Sequence, residues 1–188
     1  NPPYLTAAEM GTALHAFLEH ADFASLAAAK AAGTLEEAIL AERQRQVDTR
    51  LVAPEIAEKL NAGRIRRFAE SEAFAKICAA EKVLRELAFI TALPASAVLA
   101  AQGSAAPEGE AAKASVLVQG IADIVLVFPD HLELLDYKTD RRKTEADFLA
   151  AYRAQLNLYA LAIDKRFAPK KVTYKGIYSL ELGRLIEV

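Results

Sequence analysis

The stretch GIADIVLVFPDHLELLDYK, residues 120–138, decides how this chain folds. Two apolar runs flank Phe128-Pro-Asp-His131, and Pro129 suits the second position of a type I turn. Residues 115–128 and 132–138 therefore read as the two strands of a hairpin. A turn centred between Pro129 and Asp130 sets Asp123 directly opposite Asp136. Like charges in that position destabilise a sheet, and both residues lie in otherwise apolar strands. Such a pair is tolerated if one carboxyl is protonated or if a cation sits between them. Lys138, two residues past Asp136 on the same face, supplies one positive charge, and a divalent metal would supply the rest. Two blander readings stand beside this one. Asp136 and Lys138 also suit a surface ion pair at a strand end, and a one-residue bulge would take Asp123 out of register.

Two carboxylates and a lysine at an open site suit a hard cation. Mg²⁺ is typically held by one or two carboxylates together with phosphate oxygens and water. Such an ion polarises a phosphoryl group and lowers the pKa of bound water. Lys138 would orient that water, help deprotonate it, or offset charge on the transition state. Downstream, Thr144-Glu-Ala-Asp147 caps a long helix that runs to about Phe167 and ends before Pro169. On it Gln155 and Tyr159 share a face with Phe148 and Tyr152. Gln155 interrupts a largely apolar stripe, and a buried amide needs partners. It is either a helix-edge glutamine or, with Tyr159, a group reaching over the sheet towards metal waters or a phosphate. Arg141, Arg142 and Lys143 form either a solvated loop or a contact for a polyanionic backbone. Arg64, Arg66 and Arg67 make a second basic cluster with a weaker claim. His20 and His131 read as solvated.

Upstream of the hairpin the chain reads as helical. Thr6 and Glu9 form a capping box, with Leu5 and Met10 as a hydrophobic staple, and Leu14, Phe17, Leu18 and Ala21 follow at helical spacing. Thr34-Leu-Glu-Glu37 reads as a second capping box, with further helix to Arg45, over 55–60 and over 71–80. Residues 85–90 read as a strand, 97–101 as a weaker one, and 102–114 as a mobile loop. A final strand covers 172–180. Helices first, then a hairpin, a helix and a return strand imply an α/β domain with a mixed sheet. One domain spans 1–188, with a mainly helical part over 1–82 and a core over 83–188.

At 188 residues, 53% hydrophobic and 26% charged, the chain is globular and sized for one domain. No apolar run approaches the ~20 residues of a membrane helix, and no signal-peptide pattern opens the chain. A first residue other than Met suggests a piece of something longer. The single cysteine, Cys78, excludes internal disulfides and a four-thiolate cluster within the chain, and it fits a reducing cytosol. It reads as a small buried apolar residue. A net charge of −2 confines any nucleic-acid contact to local basic patches.

Taken in order, Gly11-Thr-Ala-Leu-His-Ala-Phe-Leu-Glu-His-Ala-Asp-Phe23, Gly120-Ile-Ala-Asp123, Leu135-Asp-Tyr-Lys-Thr-Asp140 and Gln155-Leu-Asn-Leu-Tyr159 resemble the RecB-like PD-(D/E)XK nucleases. The likeness is to the C-terminal nuclease domains of AddA-type helicase–nucleases. It implies a restriction-endonuclease-like core, with a mixed sheet flanked by helices and a helical N-terminal part. The resemblance assigns His15, Asp123, Asp136 and the Tyr137 backbone carbonyl as metal ligands, and Lys138 as the catalytic lysine. It makes Gln155 and Tyr159 a motif that supports the site and contacts DNA, beside Arg141, Arg142 and Lys143. Glu86 aligns with a glutamate on an early strand, without a definite role. The cofactor implied is Mg²⁺, with Mn²⁺ as substitute, and no iron–sulfur cluster. The activity implied is hydrolysis of single-stranded DNA produced by a helicase, in cytoplasmic double-strand break repair and recombination. Partners implied are DNA, upstream helicase domains and an AddB-type protein, with no membrane. No GKT or GKS phosphate loop occurs in the chain itself. Two alternatives are a free-standing exonuclease and a non-catalytic module that guides DNA or holds a partner.

Overall fold

The hairpin is the middle of one sheet. A computed structural model describes residues 7–105 and 108–188. The Thr6–Glu9 capping box and its Leu5–Met10 contact therefore lie outside the described residues. Strands β1 (Lys82–Pro94), β2 (Ser115–Val127), β3 (Leu132–Lys138), β4 (Val172–Ser179) and β5 (Arg184–Glu187) lie in that spatial order. The first three form an antiparallel meander. Leu132 N–H donates to the Lys171 carbonyl (2.8 Å) and Leu180 N–H to the Lys138 carbonyl (2.9 Å). Start therefore meets start and end meets end, so β3 and β4 are parallel and the sheet is mixed, as in the restriction-endonuclease-like fold. Residues 132–137 of β3 are all buried, as expected of a central strand covered on both faces.

Parallel neighbours need a crossover, and helix α9 (Glu145–Arg166) supplies it. Thr144 and Asp147 form the expected reciprocal capping box at its start. The helix ends at Phe167, just before Pro169. Its apolar residues Phe148, Leu156 and Ile163 join Val125, Leu134 and Ile177 in a buried core. At the far end Lys165 and Arg166 donate to the Ala92 and Ala88 carbonyls of β1. Those bonds occupy backbone acceptors that an edge strand would otherwise leave open.

The chain divides into two compact units, and the division runs through β3 and β4. One contains the helical residues up to Ala79 with 137–142 and 178–185; the other contains 80–136, 143–177 and 186–188. The first holds α1 (Ala7–His20), α2 (Phe23–Ala32), α3 (Leu35–Asp48), α4 (Pro54–Glu58), α5 (Ala62–Ala69) and α6 (Glu72–Ala79). Its core is aromatic: Phe68 meets Phe74, Tyr137 and Tyr178 edge-on at 5.6, 5.5 and 5.2 Å. The second holds the meander, α7 (Ala95–Ala101), α8 (Glu110–Lys113) and α9. Among the described residues no helix is long and apolar enough to cross a membrane.

Four local readings need correction. Residues 97–101 belong to helix α7, because an alanine-rich segment following Pro94 favours helix over strand. The 102–114 segment contains the short helix α8. Thr34 makes no side-chain cap bond. Its N–H instead donates to the Ala29 carbonyl, closing the end of α2 around Gly33, whose φ is +77°. Cys78 is exposed, since α6 buries Ala73, Phe74 and Ile77 on its inner face.

A buried polar cluster on α3 anchors α1. Gln46 donates to the Phe17 carbonyl (3.1 Å) and to Glu42 (2.8 Å), while Arg45 donates to Glu42 and to the His20 carbonyl. Burial works to raise the Glu42 carboxyl, but the bonds from Arg45 and Gln46 and the Arg45 charge outweigh it. They hold it below the ordinary glutamate range. Its stabilisation is therefore present above the unfolded-state pKa and is lost as pH falls through the lower folded value. Glu42→Gln is expected to cost about 1–3 kcal/mol in urea unfolding at pH 7. That difference should shrink as the pH drops below about 4, and a pH-independent difference would show that the charge is not responsible.

Candidate metal centre

In the second unit, three carboxylates come from three adjacent strands. The β1–β2 ladder runs from Lys82↔Val127 to Pro94↔Ser115 and breaks only where Glu86 faces Asp123. Glu86 adopts φ +46°, a left-handed backbone that is costly for a residue with a side chain. The alternation of side chains changes phase at this point. Phe89 and Leu87 pack with the α9 core on one side of it, and Leu84 on the other. On β2 the same shift separates Ala122 from Val125. The outcome is that carboxylate oxygens of Glu86 and Asp123 lie within 4.8 Å of each other. The β2–β3 register continues through Ile124↔Leu135, one step short of Asp123 and Asp136. That register is the one expected from the hairpin. Asp123 is half-buried, whereas Asp136 is 4% exposed. A carboxylate buried to that degree stays ionised only with positive charge or hydrogen bonds beside it.

In the first unit, α1 delivers His15 to the backbone of Tyr137. His15 Nε2 lies 3.2 Å from the Tyr137 carbonyl oxygen, and the two rings meet edge-on at 5.8 Å. Tyr137 is held in turn by Phe68. An imidazole nitrogen and a carbonyl oxygen this close are satisfied by a proton on Nε2. They are equally satisfied by one cation accepting both lone pairs, because ligands about 2.1 Å from a metal sit roughly 3 Å apart. Gly11, one helical turn before His15, makes the approach close: a Cβ there would stand 2.6 Å from Thr139 Oγ1. Lys138, between Tyr137 and Thr139, is half-buried.

On α9, Gln155 Nε2 donates to Tyr159 Oη at 3.3 Å, and Tyr159 meets Phe89 edge-on. Lys143 Nζ stands 5.0 Å over the Tyr152 ring, a cation–π contact that places this basic residue at the start of the same helix face. Arg141 and Arg142 are exposed, with Arg142 at φ +57°. The other basic cluster is engaged elsewhere: Arg64 pairs with Glu181 and Arg66 with Glu70. His131 is half-buried and stacks on Phe128 at 4.6 Å, because the two-residue turn brings those rings together.

The donor set is carboxylate, imidazole and backbone carbonyl, which suits a divalent cation. Hairpin geometry pairs Asp123 with Asp136 and leaves Glu86 to the resemblance alone. No local signal marks Glu86, since its partnership with Asp123 depends on a strand pairing distant in sequence. Gly11 belongs to the first of the resembling motifs, but its contact with Thr139 has no signature in periodicity.

Comparison with known proteins agrees with this geometry. The family described as the PD-(D/E)XK nuclease superfamily matches residues 1–184. The chain is 35% identical over 190 residues to a Heliobacterium modesticaldum protein named as the AddA-type subunit of an ATP-dependent helicase/nuclease, covering 96% of this chain and 12% of that one. Proteins of the same name from Ligilactobacillus salivarius and Acetivibrio thermocellus are 34% and 31% identical, over 81% and 97% of this chain. The match spans 12–13% of these relatives' length.

Gly11→Ala is expected to push α1 off Thr139 and cost about 1–3 kcal/mol in thermal or urea unfolding. Adding Thr139→Ala, which removes the clashing oxygen, should recover most of the loss. No recovery in the double variant would mean that the close approach is not what the glycine serves.

Proposed function

The chain belongs to the PD-(D/E)XK nuclease superfamily, and from that premise we propose that it is a DNA nuclease domain dependent on a divalent metal, Mg²⁺ or Mn²⁺. The observation that carries the proposal is the Glu86–Asp123 carboxylate pair at the single break in the β1–β2 ladder, with Asp136 next in register. Asp123, Asp136, His15 and the Tyr137 carbonyl would hold the ion, with Glu86 beside Asp123. Bound there, a divalent cation polarises the scissile phosphoryl group and makes water a nucleophile near neutral pH.

The chain's own residues supply the remainder. Lys138 orients the attacking water and offsets charge that builds on the phosphate. Gln155 and Tyr159, hydrogen-bonded to each other, present an amide and a hydroxyl to a phosphate of the substrate. Arg141, Arg142 and Lys143 meet the polynucleotide backbone, giving affinity with little base preference and a strong dependence on salt. The relatives are named as parts of an ATP-dependent helicase/nuclease, which supports a setting in which helicase domains feed single-stranded DNA to this site. In that setting an AddB-type protein is the partner and double-strand break repair the process. Processive feeding of a strand end makes the activity exonucleolytic.

Degradation of labelled single-stranded DNA with Mg²⁺ or Mn²⁺ tests this directly. Asp123→Ala, Asp136→Ala and Lys138→Ala are each expected to lower the rate roughly a hundredfold or more. Equal rates in wild type and all three variants would sink the assignment. Replacing Arg141, Arg142 and Lys143 with alanine should weaken binding across all sequences and flatten its salt dependence by about one charge per contact.

A further inference from the structure

We infer that Gly120 and Phe89 form a seat that positions the Tyr159 ring, so that the missing side chain at residue 120 serves the site rather than the strand. The inference rests on the proposed function, in which Tyr159 and Gln155 meet a substrate phosphate.

Gly120 stands in the middle of β2, directly opposite Phe89 on β1. Glycine inside a strand costs roughly 0.5–1 kcal/mol relative to alanine and tends to mark a close approach. Its backbone is not among those with positive φ, so conformation does not require glycine here. Space does. A Cβ at residue 120 would stand 2.8 Å from both Cζ and Oη of Tyr159 and 2.9 Å from Cζ of Phe89. The two rings already meet edge-to-face, 4.9 Å apart and at 83°.

The Tyr159 ring is thus bounded by bare β2 backbone, by the Phe89 edge and by the Gln155 amide that donates to its hydroxyl. With two side-chain torsions, tyrosine places its hydroxyl wherever its ring is allowed to lie. The seat is built three residues from Asp123 on β2 and three from Glu86 on β1. The strand pair that carries the acids therefore also fixes the hydroxyl.

The atoms that must give way to a Cβ are the ends of two rings, not backbone. Ordinary contact begins at 3.4 Å, so the Tyr159 hydroxyl would retreat by several tenths of an ångström. The chain would keep its fold while the functional end of Tyr159 moved. Gly120 and Phe89 are positioning residues on this account, because they act on substrate only through Tyr159.

Two cycles on the chain test this. In urea unfolding, Gly120→Ala, Tyr159→Ala and the double variant should be non-additive, with alanine at 120 neutral or stabilising once the Tyr159 ring is gone. In Mn²⁺-dependent cleavage of single-stranded DNA, Gly120→Ala should lower kcat/KM about ten- to a hundredfold. It should cause no further loss in the Tyr159→Ala background, and Phe89→Leu, which frees space beside the ring, should restore part of the activity. An equal effect of Gly120→Ala with and without Tyr159, in either cycle, overturns the inference. Failure of the nuclease reading shows separately, as absence of metal-dependent cleavage by the wild type. The ring resonances of labelled Tyr159 still report the seat in that case, and ring signals unmoved by Gly120→Ala overturn it.

Discussion

Two carboxylates held within 4.8 Å of each other govern how the meander is built. Ionised together at that separation, Glu86 and Asp123 repel by up to about 3 kcal/mol at an effective dielectric constant near 20, and by less where water reaches them. The sheet bears this at the one position where β1 and β2 stop pairing, with Glu86 in a left-handed conformation. Strain and like charge meet at one place, and a bound divalent cation is the plainest way for the protein to relieve the repulsion. The rest of the second unit holds that arrangement rigid. α9 covers one face of the meander, and buried β3 brings Asp136 alongside.

The first unit applies the same principle with different atoms. His15 and the Tyr137 carbonyl are two electron-pair donors at 3.2 Å, brought together by α1 and an aromatic core. The helix is held at its C-terminal end by Gln46 and Arg45, which take up the Phe17 and His20 carbonyls. Near its start, Gly11 lets it lie against Thr139. A helix fixed at both places keeps the imidazole between them in one position. Preorganisation of this kind lets ligands bind an ion without a separate ordering cost.

Much of the fold was legible because its signals are local. The Thr144–Asp147 box, the apolar runs beside Pro129-Asp130 and the Gln155–Tyr159 spacing each depend on residues within a few positions of one another, and each appears in the structure. The misread segments failed where local signals compete. The 97–101 segment carries both strand-like and helix-like residues, and alanine with a preceding proline decided for helix. Thr34 has the composition of a cap, but its backbone closes the preceding helix. Cys78 is apolar enough for a core, yet it falls on the outer side of a short helix.

The sequence by itself determined the hairpin, its register and the placement of Asp123 opposite Asp136, because a two-residue turn and a period of two leave one pairing. It also determined the crossover helix and the face on which Gln155 and Tyr159 stand. Only the tertiary structure decided that Glu86 is the near neighbour of Asp123, that His15 meets the Tyr137 carbonyl 122 residues away, and that Gly120 leaves room for a ring from α9. The physical reason is distance along the chain. Periodicity and capping report which way a side chain faces, whereas the residue it meets depends on how separate elements pack.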